Sequence, residues 1–209
     1  MLEHLPAWIG ALVRNVRAGH SKLIIVQEDV GLADRTIDLG SPAFANGARL
    51  PIRFTADGEG VSPPLIWGPV PEGTQALALI VEDPDAPALQ PLVHALVWNL
   101  PPDLHDIPEG DITADGYGAR DGSDVGRNSY MLEGWLPPDP PSGHGAHDYV
   151  FQLFALSAVP HIDPNPGRSD FVKAITGHVL AAGLLVGTYS RDEPKSVASS
   201  DPVGGPVPA

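Results

Sequence analysis

The sequence predicts an all-β or loop-rich α/β body built from short elements, and two observations lead to this prediction. The chain holds 23 glycines and 24 prolines among its 209 residues, and so many chain-breaking residues leave little room for long helices. Residues 41 to about 160 also show an apolar period of two between Pro and Gly punctuation, which is typical of β-strands. A hydrophobic content of 43% is enough to fill a core.

Three strands follow from this period, at residues 75–82, 93–99 and 149–156. In the first strand, the large apolar residues at odd positions face one way and the residues between them face the other. The third strand is apolar on nearly both faces, which indicates a position inside a sheet. Helical spacing of apolar residues then predicts a helix at 169–182, and a last strand is predicted at 184–190.

Residues 6–18 predict an amphipathic helix that begins at Pro6 and ends before Gly19. Docking of its apolar stripe onto the protein's own core is the favoured interpretation, and a homodimer contact is the alternative. A membrane-surface helix is least favoured, because the segment carries too few basic residues. The stripe consists of Trp8, Ile9, Leu12, Val13 and Val16.

Charge and composition exclude several classes of protein. Twelve Lys and Arg residues against 26 Asp and Glu residues give a formal net charge of −14, which argues against a nucleic-acid or anionic-membrane partner. The absence of cysteine excludes disulfide frameworks, zinc ribbons and thiol nucleophiles. No apolar run approaches the length of a membrane span, and the N-terminus lacks the features of a signal peptide. We therefore expect a soluble, cytoplasmic protein.

The chain lacks the common signatures for phosphate loops, dinucleotides, zinc proteases and nucleophile elbows, so polar residues at strand ends are the candidate site. Asp83 and Asp85 follow the first strand, and His94 begins the second. His147 and Tyr149 head the third strand two positions apart, so both point to one face. An imidazole and a phenol together can donate hydrogen bonds to an anion, while an aspartate orients the histidine.

Structural roles remain the alternative for these residues. The two aspartates also fit ordinary turn chemistry around proline, and His94 alone also fits a hydrogen-bonded core histidine. A zinc site made from His144 and His147 with His94 and an aspartate is less favoured, because no helix fixes the spacing of the two histidines. We expect neither a metal nor another cofactor.

Seven short runs between residues 44 and 190 occur in an order and at separations that are specific as a set. Together they resemble the phosphatidylethanolamine-binding protein family, which includes the Raf kinase inhibitor protein and bacterial Raf-kinase-inhibitor-like proteins. The runs are FTADG (54–58), SPPLIW (62–67), VPEGT (70–74), ALALIVEDPDAP (76–87), HALVWNLP (94–101), GRN (126–128) and GHGAHDY (143–149).

This resemblance implies a mainly β fold, with two antiparallel sheets packed as a Greek-key sandwich and peripheral helices. It implies a family domain at residues 41–192, after an N-terminal helical extension at 1–40 that shorter bacterial relatives lack. A disordered tail is predicted at 193–209, from its Pro, Ser and Gly content. The last two runs of the resemblance, GRN and GHGAHDY, are expected to close the site.

The resemblance also implies a small anion pocket at one end of the fold. The positions that line this pocket in the family are matched here by Asp83, Asp85, His94, His147 and Tyr149. In relatives a sharp turn aims the carboxylates into the pocket. We therefore expect at least one cis peptide bond before the two prolines of the DPDAP run.

One stretch departs from the pattern of the bacterial relatives, which usually carry Gly-Gly-Pro-x-Pro-Pro after an aromatic residue. Here Trp135 is followed by Leu136-Pro137-Pro138-Asp139. Backbone N–H groups of this loop help to hold the anion in the family, and Pro137 has none. Asp139 adds a negative charge, so we expect weakened phosphate binding.

The favoured function is a non-enzymatic binding or regulatory protein that takes phosphate, a carboxylate or a phospholipid head group, or a protein partner at the pocket rim. The alternative is a hydrolase that uses His94 or His147 as base with Asp83 orienting it. Ser142 is near the motif, but nothing in the sequence places it within reach of a histidine. A third hypothesis is a homodimer formed through the N-terminal helix around a vestigial pocket.

Overall fold

The computed structural model describes residues 15–27, 30, 35–114, 124–162 and 166–191. These residues form eight strands, one α-helix and three short 3-10 helices. The strands are β1 (Leu39–Gly40), β2 (Leu65–Trp67), β3 (Ala76–Asp83), β4 (Leu92–Leu100), β5 (Asp106–Ile107), β6 (Asp124–Val125), β7 (His147–Leu156) and β8 (Val179–Tyr189). The helices are α1 (Arg168–Ile175) and the 3-10 helices His20–Lys22, Ile24–Val26 and Ile52–Phe54.

The strands make two sheets in which every pair is antiparallel. The larger sheet has the order β6-β4-β3-β7-β8, and the smaller has the order β1-β2-β5. The predicted mainly β fold with two antiparallel sheets and few helices is therefore confirmed. The Greek-key connection is compatible with this order and stays a prediction.

Strand β3 occupies the middle of the larger sheet, and all eight of its residues are buried. Leu79 lies in the apolar cluster between the two sheets, where Trp67 of β2 joins it. Ile80 points to the opposite face and lies in a second cluster with Ile24 and Phe171. The alternation predicted for this strand is thus confirmed, because each face is covered by its own apolar layer.

The boundary between the last helix and the last strand differs from the prediction. Helix α1 ends at Ile175, whereas the apolar spacing predicted a helix up to residue 182. Gly177 has a φ of +77°, a left-handed conformation that ends the helix at little cost for glycine. Val179 then pairs with Leu156 of β7, so this apolar residue belongs to the sheet instead of the helix.

The N-terminal segment follows a different course from the predicted helix, as far as it is described. Residues 1–14 lie outside the described residues, and residues 15–19 are not helical. Ala18 N donates to Ala86 O at 3.0 Å and Gly19 N donates to Pro84 O at 2.8 Å. The end of the predicted helix is therefore wrong, because these amides bind the loop after β3 instead of a preceding helical turn.

Beyond these amides, the described part of the N-terminal extension covers the outer face of the larger sheet. Ile24 is fully buried, and its backbone N donates to the Glu82 carboxylate at 3.0 Å.

The predicted division of the chain into segments 1–40, 41–192 and 193–209 stays a prediction, and the predicted tail lies outside the described residues. In the described ranges, no helix is both long enough and apolar enough to cross a membrane.

Candidate functional site

The loop after β3 is built around the side chain of Asp83, which is only 3% exposed. Its Oδ1 accepts hydrogen bonds from the backbone N of Asp85 at 2.8 Å and of Ala86 at 3.0 Å. Its Oδ2 accepts from Nδ1 of His147 at 2.8 Å. One carboxylate therefore both shapes the turn and orients the histidine that heads β7.

The prediction of a cis bond in this loop is wrong. The described residues contain no cis peptide bond, so the bonds before Pro84 and Pro87 are both trans. The two hydrogen bonds from the backbone to Asp83 form the sharp turn without a cis proline.

His147 uses both of its ring nitrogens inside the protein. Nδ1 faces the Asp83 carboxylate, and Nε2 lies 2.6 Å from Nδ1 of His144. The two imidazoles meet edge to face and are at most 1% exposed. A neutral His147 accepts from His144 at this contact and a charged one donates to it, so neither form has a free ring N–H for a ligand.

His144 was considered from the sequence only as a zinc ligand, and its hydrogen bond with His147 was not predicted. A turn at residues 141–144, closed by the hydrogen bond from His144 N to Pro141 O at 3.1 Å, and Gly145 with a φ of +98° precede His147. The spacing His-x-x-His across a glycine was the available signal. The spacing alone did not distinguish a hydrogen-bonded pair from two unrelated loop histidines.

His94 presents a free acceptor inside the fold. Its Nδ1 lies 2.6 Å from Leu136 O, and because a carbonyl oxygen only accepts, this nitrogen carries the hydrogen. Nε2 is buried and has no hydrogen-bond partner among the described residues. Burial lowers the pKa of His94 and His147 lowers it further, while Asp83 and the Leu136 carbonyl oppose this shift. The neutral ring therefore offers a lone pair at Nε2.

Tyr149 lies against His94, with the ring centroids 5.0 Å apart in an edge-to-face contact. Its hydroxyl is buried without a hydrogen-bond partner among the described residues. Burial raises the pKa of Tyr149 well above its ordinary value, and the carboxylate of Asp83 raises it further. The phenol thus stays protonated and can donate.

The side chain of Asp85 connects two segments of the chain. Its Oδ2 accepts from Asp148 N at 2.8 Å, and its other oxygen contacts the Arg17 guanidinium. Arg17 also donates to Ala146 O at 3.2 Å. Asp85 therefore connects the N-terminal segment with the loop before β7.

A cavity of about 20 Å³ lies beside these residues, and this volume holds about one water-sized group. Of the five predicted residues, Asp83, His94 and His147 line it, whereas Asp85 and Tyr149 are not among its described lining residues. Ligand contact by the five residues stays a prediction. The other lining residues are Ala86, Pro87, Leu92, Tyr130, Leu136, Pro137, Asp139, Pro140 and Pro141.

One wall of the cavity comes from the stretch that departs from the bacterial pattern. Leu136 N is already bonded to His94 O at 2.7 Å, and the lining prolines have no N–H to offer. The Asp139 carboxylate lies 2.5 Å from Arg191, whose guanidinium also binds Asp57. The wall is thus poor in donors, and Arg191 offsets part of the charge of Asp139 because it is shared with Asp57.

Metal ligation finds little support in this arrangement. His147 has no free nitrogen, which weakens the zinc set considered from the sequence. His20, Asp85 and Asp148 bring ligand atoms within 4.8 Å of one another. Asp85, however, already contacts the Arg17 guanidinium, so a cation would have to displace that contact.

The run GRN lies elsewhere than the resemblance implied. Arg127 and Asn128 line a second, separate cavity. Tyr130, two residues further on, lines the small cavity instead.

The sequence is similar to a known family profile and to several related proteins. The sequence profile described as phosphatidylethanolamine-binding protein matches residues 40–190. A UPF0098 protein of Methanothermobacter thermautotrophicus is 40% identical over 155 residues, which cover 74% of this chain and 99% of the relative. A UPF0098 protein of Pyrococcus abyssi is 38% identical over 152 residues, covering 72% of this chain and 84% of the relative.

Two solved structures share the fold. A phosphatidylethanolamine-binding protein homologue from Chlamydia trachomatis gives a TM-score of 0.67 at 32% identity and covers 76% of this chain and 100% of its own. Escherichia coli YbcL, described as a member of the mammalian family, gives a TM-score of 0.69 at 28% identity and covers 74% of this chain and 98% of its own. The chain belongs to the phosphatidylethanolamine-binding protein family.

Proposed function

We propose that this protein is a binding protein whose small cavity takes one oxyacid group, such as a phosphate, a carboxylate or the phosphate of a phospholipid head group, together with a proton. The observation that carries the proposal is Nε2 of His94. This nitrogen is buried and has no hydrogen-bond partner within the described ranges, while Nδ1 of the same ring, which lines the cavity, is held by Leu136. Buried polar atoms of this kind usually have a partner, which a ligand or a water can supply.

The charges around the cavity favour an anion only after His94 gains a proton. Asp83 and Asp139 both line the cavity, and so does the neutral His94, which has a lone pair at Nε2. Protonation converts that lone pair into an N–H donor and adds a positive charge, which would bind an oxyanion. A bound anion then raises the pKa of His94, so binding strengthens as the pH falls through the pKa range of this ring.

The size and lining of the cavity set the expected strength. A volume of about 20 Å³ admits about one water-sized group, so a phosphate requires its wall to move. The prolines in that wall offer no amide donors, and Leu136 N is already used. We therefore expect weak phosphate binding at neutral pH and stronger binding at acid pH.

The hydrolase alternative has less support. The described lining of the cavity contains neither Ser, Thr nor Lys, and Ser142 is absent from it. The second nitrogen of His147, which a base would use, faces His144. A panel of generic ester and phosphoester substrates tests this alternative. Hydrolysis above background by wild type that is lost in His94→Gln would favour the hydrolase over a protein that only binds its ligand.

The proposal is tested by calorimetric titration of phosphate and of acetate at about pH 5 and about pH 8. We expect wild type to bind at the lower pH and to bind at least about ten-fold more weakly at the higher pH. His94→Gln keeps a donor for Leu136 O but cannot be protonated. Its affinity for the anions should therefore no longer increase as the pH falls. The matched control is His161→Gln, which alters an exposed histidine and should bind as wild type does. Equal affinity of wild type and His94→Gln at both pH values would reject the proposal.

A further inference from the structure

A second and much larger cavity lies on the other side of β4. Its volume is about 460 Å³, within the usual range of about 300–1,000 Å³ for small-molecule sites. Val93 lines it, whereas the neighbours Leu92 and His94 line the small cavity, because successive strand residues point to opposite faces. The two cavities have no described lining residue in common. The residues that carry the argument are Pro91, Val93, Arg127, Met131, Arg168 and Ser169.

The charged lining of this cavity is basic. Arg127 and Arg168 line it, and neither Asp nor Glu is among its described lining residues. Nε of Arg168 binds the fully buried Glu82 carboxylate at 2.6 Å, so the charge of Arg168 is balanced and its side chain is held in place. Nε of Arg127 is buried and has no hydrogen-bond partner among the described residues. In a chain of net charge −14, Arg127 is therefore a cation suited to an incoming anion.

The packing of the loop holds Arg127 next to the start of helix α1. Arg127 N donates to Pro166 O at 3.0 Å, one residue before the Gly167 N-cap. A Cβ at Gly126 would meet Leu96 and Trp98 at 3.1 Å, so glycine permits this close approach to β4. The backbone of Arg127 is thus anchored beside the start of α1, and no ion pair of its side chain occurs among the described residues.

Part of the lining of this cavity is apolar. Pro91, Val93 and Met131 contribute apolar lining, and the neighbouring Leu89 and Leu132 are 89% and 65% exposed. Met131 is itself 65% exposed and has a φ of +64°, which is uncommon for a residue other than glycine.

The side chain of Asn128 holds this loop in its strained form. Its Oδ1 accepts from Tyr130 N at 2.9 Å and from Leu132 N at 3.4 Å. Strained backbone that the surroundings hold in place is often found at functional sites. The exposed side chains of Met131 and Leu132 therefore belong to a loop segment that Asn128 holds in place.

We propose that this second cavity binds an amphiphilic anion, in which a carboxylate or phosphate head meets Arg127 and an apolar body lies against Pro91, Val93 and Met131. Inorganic phosphate lacks the body and an aliphatic alcohol lacks the head, so neither matches both halves of the cavity. This site is independent of the small cavity beside His94.

The test is calorimetric titration of octanoate and of octyl phosphate near neutral pH, with octanol and inorganic phosphate as comparison ligands. We expect both amphiphilic anions to bind at least about ten-fold more tightly than either comparison ligand. Comparing the affinities of octanoate and octyl phosphate shows whether the cavity prefers a carboxylate or a phosphate head. Octanoate and octanol binding with equal affinity would overturn the proposal.

Two variants localise the binding to this cavity. Arg127→Gln removes the charge and should weaken binding by about ten- to a hundred-fold, the range of a charge-assisted hydrogen bond. Ser169→Glu adds a negative charge that is favourable in the first turn of α1 but faces the ligand, and it should weaken binding about five-fold. Lys173→Gln, which removes an exposed charge from the same helix, is the matched control and should leave binding unchanged.

Loss of octanoate binding in His94→Gln, with full binding in Arg127→Gln, would place the ligand in the small cavity. That result would overturn this inference while supporting the function proposed for His94. Binding that is unchanged in both variants would overturn the inference as well.

Discussion

Nδ1 of His144 lies 2.6 Å from Nε2 of His147, so the histidine that heads β7 has no ring nitrogen left for a ligand. Asp83 holds the opposite nitrogen of His147 at 2.8 Å. The chain of three side chains is buried throughout, with exposures between 0% and 3%. Of the two histidines that line the small cavity, His94 is thus the one with a ring nitrogen that has no hydrogen-bond partner among the described residues.

Replacement of His144 by Ala should destabilise the protein by about 1–3 kcal/mol. The substitution leaves Nε2 of His147 without its partner in a dry environment, which is the cost of an unsatisfied buried polar group. Chemical denaturation monitored by fluorescence measures this change. The matched control is His161→Ala, which replaces an exposed histidine. Its free energy of unfolding should be within about 0.5 kcal/mol of the wild-type value. A His144→Ala protein as stable as this control would show that the contact with His147 contributes nothing.

The wall of the small cavity predicts how phosphate binding can be improved. Pro137→Gly restores a backbone N–H at the cavity and should strengthen phosphate binding at about pH 5 by roughly ten-fold. Asp139→Asn should strengthen phosphate binding less, because Arg191 already offsets part of the charge of Asp139. Titration of phosphate into the two single variants separates these effects. A larger gain from Asp139→Asn than from Pro137→Gly would contradict this explanation.

Much of the fold could be predicted from the sequence, because local pattern and burial agree. The alternation along β3 marks two faces, and each face is covered by its own apolar layer. The end of α1 was mispredicted because Val179 suits a helix by spacing, and pairing with Leu156 of β7 decides its place. Tertiary pairing of this kind has no local signal.

The candidate site was predictable only in part for a similar reason. The sequence predicted that an aspartate orients a histidine of the pocket but left open which histidine, and the structure pairs Asp83 with His147. Arg17 contacts the Asp85 carboxylate but lies outside the runs that resemble the family. The sequence therefore contains no signal for the contact between these two residues. The orientation of Tyr149 depends on packing against His94, which strand alternation alone does not determine.

Glu82 should be the most sensitive charged residue outside the site. Its buried carboxylate accepts from Arg168 Nε at 2.6 Å, from Gln152 Nε2 at 2.7 Å and from Ile24 N at 3.0 Å. Glu82→Gln removes the charge that balances Arg168 and should cost about 3–5 kcal/mol of unfolding free energy. The double variant Glu82→Gln/Arg168→Met should recover part of this loss, because the unpaired cation is gone. Equal stability of Glu82→Gln and wild type in urea denaturation would contradict this prediction.

Deletion of residues 1–20 should leave the sheets folded. The deletion removes Arg17 and the amides of Ala18 and Gly19 that bind the loop after β3, but it keeps Ile24 in the second apolar cluster. We expect cooperative unfolding with a stability loss of about 1–3 kcal/mol. Light scattering of both proteins tests the homodimer expectation, which requires the truncated chain to shift from dimer to monomer. Loss of cooperative unfolding would show instead that residues 1–20 complete the core.

The central claim is that His94 takes up a proton when the small cavity takes up an oxyacid group, and NMR of the His94 imidazole nitrogens tests it most directly. In the free protein we predict a neutral ring with the hydrogen on Nδ1 at neutral pH, and a pKa below the ordinary value for histidine. Added phosphate or acetate should raise that pKa, because the anion stabilises the charged ring. A hydrogen on Nε2 in the free protein, or a His94 pKa that neither anion changes, would contradict the account.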